Sequence, residues 1–199
     1  MAQCQLSPAE EPTIDDVASQ LECGHLAPVA RAAFDAAGDL ATREYGRPAA
    51  VLAAFRLASR RSRGPTLEAE WLASSADRPV DPADVAAATD VVASRLSPPA
   101  DAGEIRALRR RLIVAHELLA AARRGRPDAL QLPDSYLEAE APWLLGRTRW
   151  SPGGNDDPDA LEEDRLESHV ERLEADLEAA RLGSALYALV ALEEDREEN

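Results

Sequence analysis

Lysine is absent from this sequence, so every strongly basic side chain is an arginine. Isoleucine, asparagine and phenylalanine are scarce, while alanine makes up about a fifth of the chain. GC-rich codons produce that bias. They do not by themselves produce the acidic excess, which is 37 Asp and Glu against 22 basic residues, a net charge of −15. The two features together predict a halophilic archaeon, in which an acidic surface keeps proteins soluble. In molar salt the Debye length is about 3 Å, so repulsion between surface carboxylates is largely screened. An acidic protein from an ordinary high-GC bacterium is the plainer reading.

Cysteine is nearly missing. Cys4 and Cys23 are the only two, which excludes a disulfide scaffold. Long apolar runs are missing too: the longest near the C-terminus, Ala185 to Leu192, is far too short to span a bilayer. The first twenty residues carry four acids and no arginine, unlike a secretory signal. The expectation is a cytoplasmic protein with no membrane contact. A net of −15 ordinarily argues against nucleic acid. In a halophile nearly every protein is acidic, so DNA stays open as a partner.

Diagnostic chemistry is also lacking. Cys23-Gly24-His25 with Cys4 offers three ligands, whereas structural zinc takes four in paired spacings. His116-Glu117 starts like H-E-x-x-H, but the second ligand position is Ala120. His169 stands beside a leucine seam and reads as solvated. No nucleophile elbow, P-loop or dinucleotide fingerprint occurs. The carboxylates are scattered, so no acid–base pair can be named. No catalytic residue, cofactor or metal is assigned.

What is present is helical spacing nearly throughout. Thr13 reads as an N-cap with Asp16 at N3, ahead of Ile14, Val17 and Leu21 on one face. Val29, Ala33, Phe34, Ala37 and Leu40 form a stripe, and so do Val51, Leu52, Phe55 and Ala58 after Pro48. Thr66 reads as the cap of a short helix. Asp81-Pro82 opens another, with Val85, Ala88, Val92 and Leu96 inward, which Ser97-Pro98-Pro99 stops. Ile105, Leu108, Leu112, Ala115, Leu119 and Ala122 keep three-four alternation over 104–126. No alternating strand pattern and no fixed-period repeat occur. The predicted class is all-α, a multi-helix bundle with a C-terminal zipper-like helix. The predicted division is a helical domain 1–146, a Pro/Gly/Asp-rich linker 147–159, and an acidic helical segment 160–199 with a break at Gly183-Ser184.

The zipper seam is Leu166, Val170, Leu173 and Leu177, about two heptads, flanked by Glu167, Glu174 and Asp176. Against a copy of itself it brings like charges together, each contact costing a few tenths of a kcal/mol. The 104–126 helix is the better match, because it carries Arg106, Arg109, Arg110, Arg111, Arg123 and Arg124. An intrachain pair is therefore expected; a homodimer or a protein partner through the C-terminal helix are the alternatives. Arginine clusters at Arg56, Arg60, Arg61 and Arg63, and at Arg106, Arg109 and Arg110, are the candidate contacts for nucleic acid or a protein partner. The bland reading is that they balance the surrounding carboxylates.

The stretch "GRPAAVLAAFRLASRRSRGPTLEAEWLAS" resembles the middle of a cyclin-box repeat of archaeal transcription factor B. In that family an Ala-rich helix ending in a basic turn leads to a Thr-initiated helix with a Glu. The matching positions here are Ala53, Ala54, Ala58, Arg60, Pro65, Thr66, Glu70 and Ala73, within about thirty residues. The family's zinc ribbon and second repeat have no counterpart. The layout, with its zipper-like helix from Leu161 to Leu182, is also similar to the haloarchaeal gas-vesicle transcription activator, gas-vesicle protein E. In that family a basic segment precedes the zipper. Here only Arg147 and Arg149 precede a run of acids. Both resemblances imply transcription regulation. A regulatory binding protein is thus the first expectation, an assembly adaptor using the C-terminal helices the second, and an enzyme the third.

An acidic surface adapted to salt should lose helicity at low salt. At about 0.1 M the Debye length is near 10 Å, and carboxylates on neighbouring helices repel. Circular dichroism across a potassium chloride series is expected to show helicity and melting temperature rising from tenths molar to molar. A flat or falling melting temperature would refute the halophile reading.

Overall fold

The computed structural model describes residues 11–76, 79–124, 132, 135–136 and 163–197, with side chains as far as Leu192. Among the described residues the fold is all-α, with eight α-helices, one short 3-10 turn and no strand. The helices are α1 (Ile14–Gln20), α2 (Ala27–Tyr45), α3 (Arg47–Arg61), α4 (Ala69–Ser75), α5 (Pro82–Ser94), α6 (Ala102–Arg123), α7 (Glu163–Leu182) and α8 (Ser184–Glu197). No described helix is long and apolar enough to cross a membrane.

The chain forms two compact units, and the first is discontinuous: 1–99 with 181–199, and 100–180. This division falls elsewhere than at 146 and 160. The reason is packing: Leu182, Leu186 and Val190, beyond the expected boundary, lie in the core formed by residues 14–96. The expected linker 147–159 lies outside the described residues.

Unit 1 is built around α3, which packs on α1, α2, α4 and α5. Its residues Ala49 to Ser59 are buried except for Arg56, and a helix apolar on nearly all sides belongs in a core. Alanine makes that centre possible. Ala30, Ala33, Ala37 and Ala41 on α2, and Ala50, Ala53, Ala54 and Ala58 on α3, are all buried. Small side chains let the two backbones approach closely. Phe55, Leu72, Val85 and Val92 fill the space around them. Thr89, also buried, donates its hydroxyl to the Val85 carbonyl at 2.7 Å, which satisfies that side chain within its own helix.

The helix starts follow local chemistry. Thr13 and Asp16 form a reciprocal capping box on α1. The Thr13 hydroxyl and amide hold the Asp16 carboxyl below its usual pKa. Asp81 accepts from the Ala83 amide, with Pro82 opening α5. Thr66 does not cap α4: the helix begins after Glu68, whose side chain makes no capping bond. The turn is instead held by buried Ser59, whose Oγ accepts from the Leu67 amide at 2.9 Å and donates to the Arg56 carbonyl at 2.9 Å.

Arg61 ties the two parts of unit 1 together, beside a hydroxyl contact from Ser184 to Ser97 at 3.3 Å. Arg61 is only 7% exposed, and its Nη1 donates to the Ser97 carbonyl at 3.0 Å and to the Leu182 carbonyl at 2.6 Å. Leu182 ends α7, where unpaired carbonyls and the helix dipole favour a cation. Burial lowers the guanidinium pKa, but arginine keeps its charge. Next to it, Gly183 has φ of 79°. A Cβ there would collide with the Ser97 carbonyl oxygen and lie 2.9 Å from that of Pro98. Gly183 is therefore required both by its left-handed backbone and by the close passage of the 97–98 segment.

Removing either feature should loosen α8 from the unit 1 core. Arg61→Ala leaves the buried Leu182 carbonyl and the partly buried Ser97 carbonyl without this donor and is expected to cost about 3 kcal/mol. Gly183→Ala adds a strained φ and a steric clash, for about 2–4 kcal/mol. Urea unfolding followed by circular dichroism measures both. Losses under about 1 kcal/mol would show that the contact is peripheral.

Candidate functional site

The second unit holds the zipper seam. Leu166, Val170, Leu173 and Leu177 on α7 meet Leu112, Ala115 and Leu119 on α6, with Ile105 and Leu108 packed alongside. The helices run antiparallel. Arg123 near the end of α6 reaches Glu163 and Glu167 near the start of α7, both at 2.9 Å. Farther along, His116 Nε2 lies 3.4 Å from Glu174. At the base the Ala100 amide donates to the Ala180 carbonyl at 2.7 Å. The seam is occupied by the chain's own α6.

The start of α6 is fixed by Asp101, whose Oδ1 accepts from the Gly103 and Glu104 amides at 2.6 and 3.0 Å. Those two bonds hold its carboxyl below the usual range, with the nearby Arg106 charge adding to the effect.

The arginine clusters separate once the helices are in place. In unit 1, Arg56 is mostly buried and stands 3.8 Å from Glu68. Arg61 points inward, so as a surface contact it is corrected: its guanidinium is spent on backbone carbonyls. The phase of α3 carries the signal, since position 61 is one turn beyond the buried Leu57 and Ala58 and two beyond Ala54. Arg60 and Arg63 are exposed. That cluster is thinner than its spelling suggests.

In unit 2, Arg106, Arg109 and Arg110 fall within about 100° of arc on α6, because a residue advances about 100°. Arg106 and Arg109 are exposed and Arg110 is half-buried. Ile113 falls on the same arc and is 47% exposed. The arc lies away from the seam and from a second buried row, Val114, Leu118 and Ala121. Farther along it, Glu117 is 3.8 Å from Arg124. Sequence reasoning singled out the arginines and missed Ile113. Its offset of seven residues from Arg106 and four from Arg109 was the available signal.

The remaining candidates stand apart. Cys23 is buried, and burial raises its thiol pKa. His25 is exposed, and Cys4 lies outside the described residues. On α7, Arg172 approaches His169 Nδ1 at 3.0 Å beside a shallow strip with Asp164, Arg165 and Ser168. All five belong to one helix.

No family model matches this chain, and no curated protein or solved structure matches it either. The fold defines its class, an all-α protein.

The α6–α7 pair should owe its stability to the seam. Leu173→Ala is expected to cost about 2–5 kcal/mol, because Leu173 is 5% exposed in a packed row. Arg123→Ala should barely shift the midpoint, since both of its ion pairs are solvated. Denaturant titration of the two variants distinguishes the terms. A larger loss from Arg123→Ala would mean that charge, not packing, holds the pair.

Proposed function

We propose that this chain is a regulatory binding protein acting in transcription in the cytoplasm of a halophilic archaeon, and that it meets its partner through the outward face of α6. The observation that carries the reading is the combination of Arg106, Arg109 and Arg110 with exposed Ile113 on one arc. In a chain of net charge −15 such a face stands out from its surroundings. The choice of transcription rests on the two family resemblances. The stretch similar to a cyclin-box repeat covers α3 and α4, although Thr66 does not initiate α4 as that family's pattern has it. The choice of habitat rests on the missing lysine and the acidic excess.

The adaptor reading, with the C-terminal helices gripping a partner, draws less support. Its apolar rows are already buried within the chain: Val170, Leu173 and Leu177 against α6, and Leu182, Leu186 and Val190 in the unit 1 core. A homodimeric zipper would have to displace α6 from the same seam.

Complementing a deletion strain tests the proposal. Deletion is expected to change the transcript profile, wild type to restore it, and a folded Arg106→Glu, Arg109→Glu, Ile113→Asp triple variant to fail. Unchanged transcripts on deletion would refute a role in transcription. Full restoration by the triple variant would remove α6 as the contact.

A further inference from the structure

We propose that the α6–α7 pair works as a clasp on α8. While the pair is closed, α8 is held in the core of unit 1; when it opens, α8 is released and the side of α2 beneath it is uncovered. The inference goes beyond the function proposed above and does not rest on it. Its basis is the place where the chain leaves unit 1 and comes back. There residues 97–100 run beside 180–184 in the opposite direction. The Ala100 amide donates to the Ala180 carbonyl at 2.7 Å. Arg61 holds the carbonyls of Ser97 and Leu182, and the Ser184 hydroxyl donates to that of Ser97 at 3.3 Å. Gly183 passes close against Ser97 and Pro98. α7 runs unbroken from the seam residues Leu173 and Leu177 to Leu182, and Gly183 alone separates it from α8.

Loop closure sets the size of the effect. With α6 and α7 paired, the two crossings are held together and α8 starts beside its groove. With the pair open, about eighty residues, 100–180, separate them. The chance of their meeting then falls roughly as the 3/2 power of loop length, by several hundredfold at most. α8 has little else to hold it. Its buried residues are Leu186 and Val190, while Ala188, Ala191 and Leu192 face solvent. The Arg61 bonds are made at the crossing itself. Once released, a helix of this length is marginal in water. The coupling runs along the chain, and linkage makes it reciprocal: what the closed pair adds to α8 docking, docked α8 adds to the pair. A ligand that binds the open pair would thereby expose apolar surface in unit 1.

Hydrogen exchange on the full-length chain, read by mass spectrometry, tests the clasp. In wild type the α8 amides should be no better protected than those of α6 and α7, since opening the pair opens α8. Leu173→Ala with Leu177→Ala removes two buried leucines of the seam. It should speed exchange at 186–192 by about tenfold or more, with the several hundredfold of loop closure as its ceiling. The α3 amides at 51–58 should change far less. In return, Leu186→Ala with Val190→Ala should speed exchange at 112–119 of α6 by about tenfold or more. Circular dichroism verifies that each variant is folded. If the double seam variant loses its fold, Leu166→Ala, at a half-buried end of the seam, opens the pair more gently, and the wild-type comparison stands by itself. α8 amides that stay protected while those of α6 and α7 exchange faster would overturn the proposal, because the pair would then open without α8. An equal rise in α3 would overturn it too, since the chain would then open only as a whole.

Discussion

A charged group without a carboxylate partner holds unit 1 closed. The chain leaves this unit after Pro99 and returns at Arg181, and the Arg61 guanidinium bonds to a carbonyl at each of those places. α8 starts at Ser184. For Leu186 and Val190 to enter the core, the backbone has to turn sharply at Gly183 while passing against Ser97 and Pro98. Only glycine allows the turn, and only a long cation at the end of α3 reaches both carbonyls. The packing of α8 on α2 therefore depends on a polar contact that the apolar pattern alone would not require.

The two units use different ways of packing helices. In unit 1, alanines bring α2 and α3 together, so larger residues such as Phe55 and Leu72 fill the space around a close central pair. In unit 2, leucines separate α6 and α7 while carboxylates on one helix face arginine and histidine on the other. The first arrangement leaves little of α3 exposed. The second leaves Arg106, Arg109 and Ile113 of α6 exposed. The basic residues of an acidic protein are thus divided between tasks: Arg61 closes a core, Arg123 trims an edge, and Arg106 and Arg109 face solvent.

Local rules made much of this legible. Thr13, Asp81 and Pro82 marked helix starts because capping is decided within four residues, and the seam Leu166 to Leu177 was plain from its spacing. Thr66 misled because Ser59 satisfies the turn from the preceding helix, a contact across eight positions. Arg61 misled because a run of basic letters was read as a cluster when helical phase divides it, turning one residue inward and its neighbours out. The unit boundary was illegible because it depends on Leu182, Leu186 and Val190 packing with residues a hundred positions away. The same holds for the α6 face: the arginines were visible as letters, but exposure of Ile113 follows from which sides of α6 are covered.

The discontinuity of unit 1 also sets an order of events during synthesis. Helices α1 to α5 emerge from the ribosome long before α8, separated from it by all of unit 2. During that interval the side of α2 that α8 will cover has no partner, and the carbonyl of Leu182 that Arg61 will bind does not yet exist. The nascent unit is an incomplete core waiting for its last helix, a state in which exposed apolar surface invites association with other chains. Slower translation of the intervening segment would lengthen that exposure without changing a residue of the finished protein.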